Sequence, residues 1–209
     1  MLQQSSPKQN GDNVQELRLL EAVAEGDRLA FERLYIIYHR RLSRLLSRFF
    51  DRYGLVEEII NDTLLVVWEQ AHRFERRSKV STWIMGIAYR RMLKSYKRFD
   101  RMRRRDQEYA ATQYLDGDNA DALLAQSNDY SDRDWLRKAM TTLVPELRLV
   151  LEFAYYCGYS CEEIATITAA PVGTVKTRML KARQQLRYTL PRMAEPQTKT
   201  FYGGGRHEF

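Results

Sequence analysis

Along two stretches, Val14 to Phe99 and Trp135 to Met193, apolar residues recur three and four positions apart, the spacing that gathers them on one side of a helix. Leu17, Leu20 and Val23, then Phe31, Leu34, Tyr35 and Tyr38, form stripes of this kind. No run alternates with the period of two that a half-buried strand needs. The chain is therefore expected to be all-α. Between the stretches, Asp106 to Asp132 mixes Asp, Asn, Ser, Gln and Ala, too polar to bury a core of its own. At 209 residues the chain has room for one or two domains. The pattern predicts two small helical domains, 14–99 and 134–193, joined by a flexible linker, 100–133, with a disordered tail at 194–209. Helices are expected over Leu42–Phe50, Val56–Gln70 and Thr82–Arg98, with a polar loop at Arg76–Ser81.

Composition narrows the class. No apolar run approaches the ~20 residues of a membrane span, and the start, MLQQSSPKQNGDN, lacks the pattern of a signal peptide, so a cytoplasmic protein is expected. Two Cys argue against a disulfide-stapled domain. The net charge of +7 points to a polyanionic partner, and its distribution says more. Arg90 to Arg105 is densely basic, Asp116 to Asp134 is acidic, and Lys176 to Arg192 is basic again.

In VEEIINDTLLVVWEQ (Val56–Gln70), Ile60, Leu64 and Val67 make a core-facing row. The opposite side carries Glu58, Asn61, Asp62, Leu65 and Trp68, a mixture of carboxylates and apolar groups that suits neither solvent nor core and is expected to meet a partner. In the second domain, Ser160 with Glu163 fits a capping box. Ile164, Ala165 and Ile167 give a short buried helix, TAAP breaks it, and Val175, Met179, Ala182 and Leu186 form the inward row of the next. That is a helix-turn-helix. The outward residues Lys176, Thr177, Leu180 and Lys181, flanked by Arg178 and Arg183, have the chemistry of a recognition helix, which reads base edges and grips phosphates.

At these residues the chain resembles the extracytoplasmic-function group of RNA polymerase sigma factors, in the sigma-70 family. GTVKTRMLKARQQL after SCEEIATITAAPV resembles that group's promoter-reading domain. AEGDRLAFERLY, EEIINDTLLVVW and RFERRSKVSTWIMGIAYRRM resemble its first domain in order and spacing. The resemblance implies a factor that binds core RNA polymerase and directs promoter-specific initiation. Glu58, Asn61 and Asp62, standing where the family usually has Asp, Gln and Glu, would dock with Leu65 and Trp68 on a hairpin of the polymerase beta-prime subunit. Phe74, Arg76, Arg77, Ser78 and Lys79 would hold single-stranded bases of the minus-ten element, with Trp83 buttressing the helix behind them. Arg90, Arg91, Lys94 and Lys97 would grip phosphates at the fork, and Lys176, Thr177, Arg178, Leu180, Lys181 and Arg183 would read the minus-thirty-five duplex.

The chain also departs from the family. Arg90 replaces a usual Asn, and Arg lacks an amide's paired donor and acceptor. Leu55-Val56-Glu57-Glu58 starts the acidic motif one carboxylate short. Thr63, read at the border of the two faces, is accordingly a candidate for activation by a Ser/Thr kinase, since phosphate adds about −1.5 to −2 charges. The family's commoner control is an anti-sigma factor clasping both domains. A free-standing helix-turn-helix regulator is the alternative reading; it leaves the acidic–apolar face unexplained. Cys157 and Cys161 lack the further ligands of a zinc site, and with no catalytic motif in view the chain is expected to need no metal or cofactor and to be no enzyme.

Overall fold

The computed structural model describes residues 7–113 and 132–194, and every regular element among them is helical. Helix α1 spans Pro7–Ala24, α2 Arg28–Leu46 and α3 Tyr53–Gln70. A short turn of 3₁₀ helix, Ala71–Arg73, and a loop lead into α4, Val80–Gln113. The second half comprises α5, Asp132–Thr141; α6, Pro145–Leu151, prolonged by a π-helical turn at Glu152–Tyr156; α7, Cys161–Thr168; and α8, Val172–Ala194.

Local chemistry sets the boundaries. Gly26, at φ +90°, turns the chain out of α1 in a conformation that a side chain would resist. Asp27 then caps α2, its carboxylate accepting from the Leu29 and Ala30 amides at 2.8 and 3.1 Å. The inward stripe of α2 is Ala30, Leu34, Tyr38, Leu42, Leu45 and Leu46; that of α3 includes Ile60, Leu64 and Val67, as its spacing requires. Helix α4 lies between them and the second half, so its first turns are buried on several sides: Val80, Ile84, Met85, Ile87, Ala88, Tyr89 and Met92 are all in the core. Glu16 of α1 is buried with them and accepts hydrogen bonds from the Tyr38 hydroxyl and Arg41. A buried carboxylate is tolerated when it is paired in this way.

Two features differ from expectation. Helix α4 does not stop near Arg98 but continues to Gln113, into the stretch read as linker. RRRDQEYAATQ contains neither Gly nor Pro and is rich in good helix formers; its polarity argued against burial, which is a separate matter from helicity. The rest of that linker, 114–131, and the tail from 195 onward lie outside the described residues. The second difference is packing. Leu149, Val150, Phe153, Ile164, Ile167 and Val175 of the second half join the same apolar cluster as the first half's core. A smaller cluster of Met140, Leu143, Leu151 and Ala182 belongs to the second half alone.

Candidate partner and nucleic-acid interfaces

On α3 the two faces separate as the sequence predicts. Ile60, Leu64 and Val67 are buried, whereas Glu58, Asn61, Asp62 and Leu65 are exposed, Leu65 to 55%. The exposed residues are held in place by α2 and α4. The Tyr35 hydroxyl donates to Asn61 Oδ1 at 3.0 Å, His39 pairs with Glu57 at 3.0 Å, and Arg91 of α4 lies 3.7 Å from Asp62. Trp68 is half-buried, its ring edge-on to Phe31 with centroids 5.0 Å apart, so it belongs to the α2–α3 seam beside the face. The sequence reading missed Ile36, 52% exposed on α2 beside Tyr35. Its signal was available: Ile36 falls off the Ala30–Leu34–Tyr38 stripe, which leaves an apolar residue pointing outward.

Thr63 is not at the border. It is 0% exposed, and its hydroxyl donates to the Ile59 carbonyl at 2.7 Å within the core face of α3. A kinase has no access to it in this arrangement, because Thr63 falls in register with Ile59, Ile60 and Val67. Thr63 is therefore not the exposed acceptor that the expected phosphorylation requires.

The loop between the 3₁₀ turn and α4 carries the next group. Phe74 packs on Trp83 with ring centroids 5.3 Å apart, which fixes the loop's base. Arg76 has φ +56°, unusual for a residue with a side chain. Its guanidinium pairs with Glu21 of α1, Arg77 pairs with Glu75 at 2.7 Å, and the Ser78 hydroxyl donates to the Lys79 carbonyl at 3.3 Å. Lys79 reaches across to Glu163 of α7 at 2.8 Å. Farther along α4, Arg90 and Lys94 are exposed one turn apart, with Lys97 also exposed, while Arg91 turns toward Asp62. The acidic partners Glu21 and Glu163 had no sequence signal toward this loop, since they come from distant helices.

The helix-turn-helix forms as read. The Ser160 side chain accepts from the Glu163 amide at 3.2 Å and the Glu163 carboxylate accepts from the Ser160 amide at 2.9 Å, a complete capping box. Ala169, in the left-handed region at φ 51°, ends α7, and α8 starts immediately after Pro171. Val175 and Ala182 are fully buried, and Met179 and Leu186 are half-buried. Lys176, Thr177, Leu180, Lys181 and Arg183 are exposed together; the Thr177 hydroxyl donates to the Gly173 carbonyl at 2.9 Å. Arg178 departs from that group. It is half-buried and close enough to Tyr89 of α4 for its charge to oppose the rise that burial imposes on the Tyr89 hydroxyl pKa.

The cysteines are packing residues here. Burial, with the Glu152 charge nearby, pushes the Cys157 thiol up to about 11, so it carries almost no thiolate at neutral pH. Cys161 Sγ lies 3.9 Å from Met179 Sδ. Among the described residues no group of three His, Cys, Asp or Glu side chains is placed to hold a metal ion, and no helix is long and apolar enough to cross a membrane.

Comparison with known proteins aligns with this geometry. The family model "Sigma-70 region 2" matches residues 34–102, from α2 into α4, and "Sigma-70, region 4" matches residues 133–186, from α5 into α8. The ECF RNA polymerase sigma factor SigK of Mycobacterium tuberculosis H37Rv is 28% identical over 173 residues, covering 82% of this chain and 91% of that protein. Among solved structures, CnrH in complex with the cytosolic domain of CnrY has a similar fold, with TM-score 0.62, 20% identity, and coverage of 85% of this chain and 98% of that one. So does the sigma factor RpoE in complex with the anti-sigma factor NepR from Bartonella quintana, with TM-score 0.52, 22% identity, and coverage of 79% and 98%.

Proposed function

The chain belongs to the sigma-70 family, in its extracytoplasmic-function group, and from that membership we propose how its surfaces divide the work of an alternative sigma factor directing transcription initiation. The observation that carries the reading is the face of α3. Glu58, Asn61, Asp62 and Leu65 stand exposed on a helix whose other side is locked in the core. Such a surface fits a basic helical partner, with charge fixing register and apolar area adding affinity. The partner is core RNA polymerase, through a hairpin of its beta-prime subunit, with Ile36 extending the contact, and the site of action is the cytoplasm, where polymerase works.

The other surfaces read DNA. Arg76, Arg77, Ser78 and Lys79, on the loop that Phe74 and Trp83 support, hold unstacked bases of the minus-ten strand. A pocket that contacts only the extruded base offsets lost stacking and so favours melting. Arg90, Lys94 and Lys97 then grip phosphates at the fork. The exposed residues of α8 enter the major groove of the minus-thirty-five duplex, with Thr177 and Leu180 against base edges, Lys176 on guanine, and Lys181 and Arg183 on phosphate. An anti-sigma factor is the controlling partner that the RpoE likeness suggests for this chain.

Run-off transcription with purified core polymerase on pooled genomic promoters tests the reading. Wild type is expected to give specific transcripts, and Glu58→Lys with Asp62→Lys to give none while keeping its helical content. Specific DNA binding without polymerase-dependent initiation would sink the reading and favour a free-standing regulator.

A further inference from the structure

A cavity of about 440 Å³ lies between α1, α2, the start of α4 and the loop from the π-helical turn to α7. Small-molecule sites occupy ~300–1,000 Å³, so it has the size of one. Met85, which is 3% exposed, lines it together with Cys157 and Tyr159. Burial raises the Cys157 thiol and the Tyr159 hydroxyl alike, as expected of a wall that largely excludes water. The rest of the lining is charged, and much of it is already paired. Glu16 of α1 accepts from the Arg41 guanidinium and the Tyr38 hydroxyl of α2, and Lys79 meets Glu163 at 2.8 Å.

The Glu16–Arg41 pair fixes the register of α1 against α2. Helices joined by so short a loop run antiparallel, so one turn back along α1, at Asp12 and Asn13, lies level with one turn on along α2, at Arg44. All three residues line the cavity, yet they are not paired with one another. Among the described residues Arg44 and Asp12 make no ion pair, and Asn13 Oδ1 is buried without a hydrogen-bond donor from the protein. A buried acceptor left without a donor is destabilising. Arg44 offers a planar fork of donors that fits a carboxylate, whereas Asn13 Oδ1 and the Asp12 carboxylate only accept. A ligand that satisfies both ends carries a carboxylate and an ammonium close together. The charges of the lining balance, Arg41, Arg44 and Lys79 against Asp12, Glu16 and Glu163, which disfavours a polyanion.

We propose that this cavity binds a free α-amino acid with an apolar side chain, its carboxylate on Arg44, its ammonium on Asn13 Oδ1 and Asp12, and its side chain against Met85 and Cys157. The site stands apart from the sigma-factor reading: it belongs to the chain by itself and is tested without polymerase or DNA.

The probes are L-leucine, L-methionine and L-phenylalanine, titrated into the full-length protein by calorimetry and by thermal melting. At least one is expected to bind one-to-one and to raise Tm in a saturable way, because a ligand that binds only the folded chain stabilises it by mass action. The N-acetyl derivative of that amino acid lacks the ammonium and its carboxamide lacks the carboxylate. Each is expected to bind about tenfold more weakly or worse, the loss of one charge-assisted contact. Arg44→Gln and Asn13→Leu should weaken binding of the amino acid by a similar factor while melting like wild type in its absence. Occupancy is read locally from Cys157, whose alkylation by iodoacetamide at alkaline pH should slow severalfold with ligand. Cys161, which packs on Met179 instead, should be alkylated at an unchanged rate. No saturable binding of any probe, equal binding of the two derivatives, undiminished binding by both variants, or binding that leaves Cys157 unprotected would each overturn the proposal.

Discussion

Leu65→Ala separates the docking role proposed for α3 from its structural role. Full burial of a Leu side chain supplies about 1.5–3 kcal/mol. Leu65 remains 55% exposed in the free protein, so about half of that is still available to a partner. Truncation to Ala should therefore weaken polymerase binding by about 1 kcal/mol, roughly fivefold in Kd. Folding should change by less than about 0.5 kcal/mol, because the lost atoms face solvent. Ile60→Ala, one turn back on the opposite face and 0% exposed, is the internal control and should cost about 2–5 kcal/mol of stability. Both quantities are directly measurable, by fluorescence anisotropy of labelled protein against core polymerase and by urea unfolding. Unchanged polymerase affinity for Leu65→Ala, or a stability loss approaching that of Ile60→Ala, would refute the assignment of the exposed face.

Other expectations follow from named contacts. Thr63→Val removes only a hydroxyl already bonded inside the helix and should stay within about 1 kcal/mol of wild type in unfolding, whereas Thr63→Glu places a charge in the core and should lower Tm and transcription together. Activation by Thr63→Glu would contradict the burial argument. Lys181→Ala with Arg183→Ala should flatten the salt dependence of minus-thirty-five binding by about 0.9 in slope per lost phosphate contact, about 1.8 in all, without changing sequence preference. For Cys157 the native thiol pKa is raised to about 11 from an ordinary 9.0, so its contribution to stability is complete below pH 9 and is lost as pH rises toward 11. Melting across pH 8–11 should fall less steeply in Cys157→Ser, and alkylation of Cys157 at pH 8 should be slow.

Much of this was legible in the sequence because helical spacing and capping are local properties. The row Ile60–Leu64–Val67, the Ser160–Glu163 box and the turn at Ala169–Pro171 each depend on residues within a few positions of one another. The family likeness supplied roles for the exposed residues, and the structure sorts them by exposure. Thr63 was misplaced because a position midway between two stripes is decided by how deeply the helix sinks between its neighbours, and α2 and α4 bury more of α3 than one stripe. The reach of α4 to Gln113 was missed because polar composition was equated with loop. The ties Arg76–Glu21, Lys79–Glu163 and Arg48–Glu152 join residues dozens of positions apart, and nothing in spacing or propensity could pair them.

The contacts that join the two halves are unequal, and the inequality predicts how their packing responds to salt. Arg137–Asp51 is largely exposed on both partners, and exposed pairs contribute about 0–1 kcal/mol. Lys79–Glu163 is more sheltered, and Arg48–Glu152 has one partner almost wholly buried, so salt screens these less. The seam of Ile164, Ile167 and Phe153 is apolar, and each such side chain contributes about 1.5–3 kcal/mol when fully buried. Apolar burial therefore supplies most of the stability of this packing, while the ion pairs fix where α7 sits. On this accounting, energy transfer between dyes placed on Arg18→Cys of α1 and Tyr188→Cys of α8, both exposed positions, in protein carrying Cys157→Ser and Cys161→Ser, should stay nearly flat from 0.1 to 1 M sodium chloride, as the Debye length shrinks from about 10 to 3 Å. A packing held mainly by charge would loosen over that range, and a large fall in transfer would move the determinant from Ile167 and its neighbours to the ion pairs.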